Sequence, residues 1–387
     1  MHDFLMLRDE MAALKNVTYL NWGGSGPSPR RVVEAEIRAI HALNDEHGPM
    51  SATALAHAAG LLAGARRALA ALLGCSHEEI ALVESTSAAI NRIACGIDWR
   101  EGDEVIISDV EHISGVAPWL HLERLKGIRM VEVATEGGRL DVQRVLDHVT
   151  PKTRLVLLSH VSYVSGAVLP VAEMAREAEA RGFLLAVDGA QSAGAMPVNL
   201  HELGVHAYAL PGQKWLLGPD GTGALYVRRD VQDLLVPSYV GWASLRMEAL
   251  QGGRIQFHGD ARRYEVAGHR VPAFAALAEA AEALTDIGME RVAARIAELT
   301  DHLIGRLQDV PGVRPWGKDP AVDRSGLVSV ELAGVDPEPV VRALWERHRV
   351  VVRSIPKPRL LRFSVHAFNT EEDIDRAVGA LADVLGA

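Results

Sequence analysis

Lys214 stands between a proline–glycine turn, Pro211-Gly212, and the apolar run Trp215-Leu216-Leu217. A lysine so placed can be held in one position and partly desolvated, which is the setting of a lysine that forms a Schiff base. Upstream, the apolar run Phe183 to Val187 reads as a buried strand that ends in Asp188, and Gln191 follows three residues later. Alone, Lys214 is equally an ordinary lysine near a turn. With Asp188 and Gln191 it makes the set that pyridoxal phosphate (PLP) requires: a lysine for its aldehyde, an acid for its ring nitrogen and a donor for its phenolic oxygen.

Three other strand ends carry polar residues. Ile80-Ala81-Leu82-Val83 leads into Glu84-Ser85-Thr86-Ser87 and a helix from about Ala88. Hydroxyls there cap the helix, and the same free N–H groups bind phosphate. The strand 104–108 delivers Glu111-His112-Ile113-Ser114-Gly115, where His112 is a structural or a site histidine. The strand from Thr153 to Val161 is nearly all apolar, as a parallel strand covered on both faces should be, and Tyr163 follows it. Strands and helices alternate to about residue 227, an α/β crossover pattern with its polar residues at strand ends, where ligands bind in such sheets.

The segment Ala186 to Val227 resembles the signature region of the class V aminotransferases, PLP enzymes that include cysteine desulfurases, kynureninase and isopenicillin N epimerase; the resemblance runs from about Thr18 to Leu385. It implies the PLP-dependent transferase fold type I: a large, mostly parallel sheet domain over 16–248 and a smaller C-terminal α+β domain over 249–387, with residues 1–15 as an N-terminal arm. It implies that Ser85, Thr86 and Ser87 meet the cofactor phosphate, Thr86 and Ser87 foremost. His112 would stack on the cofactor ring, with the option of relaying protons, and Tyr163 would lie beside it. Arg362, in Leu361-Arg362-Phe363-Ser364, matches the arginine that holds a substrate α-carboxylate, for which a guanidinium is suited by its planar fork. The loop with Asn21 and Gly24 would approach the substrate. The resemblance also implies a homodimer with sites at the subunit interface.

Several positions depart from the family pattern. Tyr163 replaces the usual asparagine of desulfurases, and Gly115 a common asparagine, a change that leaves room near the substrate. Pro211 and Gln213 stand where desulfurases have serine and histidine, and Gly268-His269 where a threonine reaches the neighbouring subunit's phosphate, so Arg263, His269 or main-chain N–H groups must compensate. The stretch 333–361, where a desulfurase keeps its nucleophilic cysteine, has none. This argues against a protein persulfide. The resemblance therefore points first to an aminotransferase with Lys214 as Schiff-base lysine and general base. A C–S lyase such as hercynylcysteine sulfoxide lyase, an epimerase and a non-catalytic homologue are the alternatives. Arg353 and Arg359 are reserves for a second substrate carboxylate.

Composition argues against nucleic-acid and membrane partners. The 387 residues carry a formal charge of -10, and no basic arm favours nucleic acid. No apolar run suits a membrane span, and the N-terminus lacks a signal-peptide core. Cys75 and Cys95, both in helix-like segments, are expected as reduced, buried thiols in a cytoplasmic protein; the histidines form no metal set. A nucleotide-binding protein would want different glycine spacing from Gly23-Gly24-Ser25-Gly26. Further expectations are single helices over 3–15, 30–45, 52–74, 272–286 and 288–307, a loop-rich linker over 237–259, and a strand at about 350–354.

Overall fold

The computed structural model describes residues 2–246, 255–317, 319, 322–323 and 325–386. The boundary expected at 248/249, and part of the linker around it, lie outside them. Helix α1 (His2–Asp9) precedes the two-residue strand β1 (Thr18–Tyr19) and the helices α2 (Arg30–His41) and α3 (Ala52–Leu73). The alternating part then runs β2 (Ile80–Val83), α4 (Thr86–Gly96), β3 (Glu104–Ser108), α5 (Ala117–Lys126), β4 (Arg129–Val133), α6 (Val142–Leu146), β5 (Thr153–Ser159), α7 (Val171–Arg181), β6 (Leu184–Asp188), α8 (Leu200–Leu203), β7 (Ala207–Pro211) and β8 (Gly223–Val227).

Seven of these strands form one sheet in the order β2-β8-β7-β6-β5-β3-β4. All are parallel except β8, which runs against both neighbours. Strand side chains alternate between faces, and here both faces are covered. Val156, Leu158, Leu185 and Val187 pack toward α3, α6, α7 and a later helix, α9 (Val271–Ile287). Leu155, Leu157 and Ala186 pack toward α4 and α5. This is why β5 and β6 read as continuous apolar runs rather than alternating ones.

The second sheet is antiparallel, in the order β12-β13-β10-β9, from β9 (Val313–Trp316), β10 (Leu327–Leu332), β12 (Arg353–Ile355) and β13 (Leu360–Ser364). Its core gathers Val328, Val330, Leu361 and Phe363 with α10 (Met289–Gln308), α11 (Pro337–His348) and α12 (Glu371–Leu385). Leu361 and Phe363 point into that core, so the period of two turns Leu360, Arg362 and Ser364 toward the large sheet.

Several expected elements differ. The helix over 3–15 is two pieces, α1 and a 3-10 turn at Ala12–Lys15. Helix α2 ends at His41 and passes into a π-turn. The strand at 350–354 is split: β11 (Val350–Val351) pairs with β1, and β12 pairs with β13. Strand β7 is central in the sheet although Pro211 and Gly212 made its sequence read as a punctuated loop; the proline is tolerated because it ends the strand. Cys95 is exposed and Cys75 half-buried, one residue beyond the C-cap of α3, so neither is the buried helical thiol expected. Among the described residues no helix is long and apolar enough to cross a membrane, and no cluster could hold a metal ion.

The N-terminal piece is tied to the C-terminal helix by charge. Arg8 pairs with the buried Asp373 at 2.8 Å and donates to Phe368 O at 2.6 Å. Asp373 also accepts from Thr370 N and from Asn369, closing the α12 capping box. Removing one partner of a buried ion pair strands the other. Asp373→Ala should therefore cost about 3 kcal/mol of unfolding free energy; urea denaturation checks it.

Candidate active site

The strand ends of the large sheet and the start of β12 enclose a cavity of about 700 Å³, counting its mouth. Ser85, Thr86, Ser87, His112, Tyr163, Asp188, Gln191, Gln213, Lys214 and Arg353 all line it. Residues up to 268 positions apart in sequence thus converge at the ends of β2, β3, β5, β6 and β7 and the start of β12. Arg362 reaches it from β13: its Nη1 donates to Tyr163 O at 3.0 Å and its Nη2 to Asn21 Oδ1 at 3.4 Å.

Lys214 follows β7 in a turn clamped through its main chain. Gly26 N donates to Gln213 O at 2.7 Å, and a Cβ at Gly26 would meet Lys214 O at 2.5 Å. A side chain on Gly26 would therefore displace the lysine. Burial pulls the Lys214 ammonium down to about 8; Asp188 opposes this, and Arg362 and Arg353 add to it. Asp188 is enclosed at the end of β6, accepting from Ala190 N at 2.9 Å, with its pKa raised by burial against the pull of Lys214.

Arg362 is buried, and among the described residues its Nε has no hydrogen-bond partner. Burial, then Arg353, holds its guanidinium far below the usual range, to about 9. Two cations face Lys214, and among the described residues neither is paired with a carboxylate in the cavity. The arrangement is built for an incoming anion. Arg353 lies there because Val352 separates β11 from β12. Arg359 does not: it lines a different surface groove beside Asp336, 3.8 Å away.

At the other end, α4 begins with Ser85, whose side chain accepts from Ala88 N. Thr86 Oγ1 is buried with no partner among the described residues, and Ser87 Oγ donates to Ser114 Oγ at 2.8 Å. A helix N-terminus beside an unpartnered buried hydroxyl fits a phosphate. His112 caps the next turn: its Nδ1 accepts from Ser114 N, and its ring meets Tyr163 edge-to-face at 5.1 Å. Burial, then the cations Lys214, Arg353 and Arg362, pushes it down to about 4. The ring is therefore neutral near pH 7.

Other expected residues lie elsewhere. Gly24 does not line the cavity; a Cβ there would meet the Asn21 amide at 2.7 Å, so the glycine makes room for Asn21 beside Arg362. Gly115 faces Leu157, not the cavity, and leaves no extra room for a substrate. Arg263 is held by Gln232 O, His258 O and Asp233, and His269 by Glu265, both away from this cavity.

Two groups escaped the sequence reading. Glu111 is buried between Ser108 and Ser159, accepting from both hydroxyls and from Ser159 N; burial, helped by Asp188, raises it to about 7. Behind Asp188, Tyr208 OH meets Ser192 Oγ at 2.6 Å and His160 Nδ1 at 3.1 Å. The signal for the first was two serines ending strands that flank a glutamate. For the second there was none, since β7 itself was not foreseen.

Residues 18–377 match the family described as Aminotransferase class-V. A probable cysteine desulfurase of Methanothermobacter thermautotrophicus is 32% identical, covering 98% of both chains. Isopenicillin N epimerase of Streptomyces clavuligerus is 32% identical over 99% of both. Among solved structures, a cystine C–S lyase in complex with its product cysteine persulfide superposes with a TM-score of 0.91 at 31% identity, covering 96% of this chain and 99% of that one. A mutant of the same lyase, with glycine covalently linked to the PLP cofactor, gives 0.92 at 30% identity, covering 97% and 99%.

The charges around Lys214 can be tested in cofactor-free protein by acylating amines across a pH series and reading Lys214 by mass spectrometry. Half-titration should fall near 8. Asp188→Asn should lower it and Arg353→Met raise it, each by about one unit for the loss of a nearby charge.

Proposed function

This chain belongs to the class V aminotransferase family, and from that premise we propose that it is a PLP-dependent enzyme that cleaves a carbon–sulfur bond at Cβ of an amino acid. The observation that carries the reading is the cavity lining, a desolvated lysine, a buried aspartate and Arg353, with Arg362 beside it; among the described residues neither arginine has a carboxylate partner there, and no thiol lines the cavity. PLP supplies, when bound, a sink for the charge left at Cα. Lys214 would carry it, Asp188 face its ring nitrogen, and Gln191 offer an N–H to its ring oxygen. His112 would cover its face, and Thr86 with the first N–H groups of α4 would take its phosphate.

The remaining work falls to the chain's own groups. Arg362 binds the α-carboxylate. Lys214, freed when the amino acid arrives, takes the Cα proton on Nζ, for which an amine titrating near 8 is suited. The electron pair of that bond forms a carbon–carbon double bond as the Cβ–S pair departs with sulfur. Water then releases a 2-oxo acid and ammonia. Arg353 offers a partner to a second carboxylate, as in a disulfide-linked amino acid, and the likeness to a cystine C–S lyase supports this substrate class. With neither Cys75 nor Cys95 at the cavity, sulfur leaves with the product and is not passed to the protein. Elimination is thus preferred to the transamination favoured from sequence.

A second copy of the chain is part of this proposal. Met50, Leu55 and Trp242 are 79%, 49% and 64% exposed along one apolar groove that also holds Gly268 and His269. Closing that groove against another copy would bury an apolar face that monomers rarely leave open. Light scattering should give twice the chain mass, and Trp242→Asp should give the monomer.

The reaction is tested by the visible spectrum of purified enzyme, before and after L-cystine. A yellow band that persists while pyruvate and persulfide appear is the expected result. The Cys75→Ser/Cys95→Ser double variant should keep the activity. Conversion to a pyridoxamine-like spectrum, with a 2-oxo acid but no sulfur product, would mean transamination. No band even with added PLP would overturn the cofactor assignment.

A further inference from the structure

Five buried residues beside Lys214 are linked by four hydrogen bonds into a ring that the chain itself closes. Gly23 N donates to Ser364 Oγ at 2.9 Å. Gln191 Nε2 donates to Gly23 O at 3.0 Å, and Trp215 Nε1 donates to Gln191 Oε1 at 2.8 Å. His366 Nε2 meets Trp215 O at 3.2 Å, and a carbonyl only accepts, so the imidazole carries its proton on Nε2. The chain returns from His366 to Ser364 through Val365. Ser364, Trp215 and His366 are wholly buried and Gln191 nearly so.

The ring joins the segments that must agree for catalysis. Trp215 is bonded directly to Lys214. Ser364 alternates with Arg362 on the face of β13 turned to the large sheet. Gln191 lines the cavity beside Asp188. The His366 side chain is fixed by aromatic rings: Phe368 stacks on it at 4.6 Å and 16°, Trp22 lies at 4.9 Å and Trp215 at 5.6 Å. A Cβ on Gly194 would meet Trp215 O at 2.5 Å, so the glycine leaves the room that this carbonyl needs to meet His366. Burial drives the imidazole down to about 3, so it stays a neutral donor at every pH where the enzyme could work.

We propose that His366 is a positioning residue for Lys214, fixing the lysine against Arg362 by holding the carbonyl of Trp215. The role assigned to Lys214 here rests on the PLP reading above, but the position of its amine can be measured without cofactor.

The test is His366→Phe, which keeps an aromatic ring for the stack and removes the donor, with His366→Gln as the variant that restores an N–H. Lys214 is titrated in cofactor-free protein by amine acylation and mass spectrometry, after circular dichroism has shown native folding. Asp188, Arg362, Arg353 and the neutral His112 still face the lysine in all variants, so a moved midpoint reports its position. In His366→Phe the midpoint should rise by about one unit as the amine gains solvent, and His366→Gln should return it toward wild type. In PLP-loaded enzyme with L-cystine as probe, kcat should fall roughly 10- to 100-fold, the scale of a small misplacement of a reacting group, with KM little changed. A folded His366→Phe protein with the wild-type midpoint overturns the proposal. Should His366→Phe not fold, His366→Met removes the same donor with a more adaptable side chain, and an unchanged midpoint in the folded variant overturns it equally. Absence of a PLP band in wild type would defeat the functional reading and leave this titration still decisive.

Discussion

The structure depends on keeping an amine out of water beside more positive charge than negative. Lys214 faces one carboxylate, Asp188, and two guanidiniums, Arg362 and Arg353. Burial and the two cations favour the neutral amine; Asp188 alone favours the ammonium. The cavity therefore carries a standing demand for anions, and a phosphate at α4 and a substrate carboxylate at Arg362 would meet it. The low local dielectric that favours the neutral amine would also strengthen the attraction for those anions.

That electrostatic arrangement is held by backbone. Parallel strands bring Ser85–Ser87, His112, Tyr163 and Asp188 to one edge because each crossover helix returns the chain the same way. The second sheet is set against this edge by one face of β13, whose odd-numbered residues fill its own core while Arg362 and Ser364 look outward. Arg8 with Asp373 and Trp22 with Asn369 fasten the N-terminal segment to the second sheet's helices at 2.8 and 2.7 Å. The loop that bears Gly23 and Gly26 is thereby carried against the lysine. Glycine is needed at Gly26 because the main chain of Lys214 occupies the space a side chain would take.

Legibility followed physical range. Lys214, Asp188 and Arg362 each stood in local sequence that states its own setting: a strand end, a turn, a strand with a polar residue inward. Their type and local setting survive into the structure unchanged. Strand β7 was hidden because Pro211 and Gly212 signal a loop, and only pairing with β6 and β8 outweighs that signal. Gly115 was misjudged because its direction depends on the turn capped by His112, which aims it at Leu157.

The sequence by itself determined the residue types, the alternation of strand and helix, and the family they belong to, since these depend on periodicity and on chemistry local to each strand end. Only the tertiary structure decided which of Arg353 and Arg359 faces the cavity, that Arg362 has no carboxylate partner among the described residues, that neither cysteine lines the cavity, and that His366 bonds the main chain next to the lysine. Those facts turn on distances between segments far apart in the chain. Such distances are set by packing and hydrogen-bond closure, which no local pattern encodes.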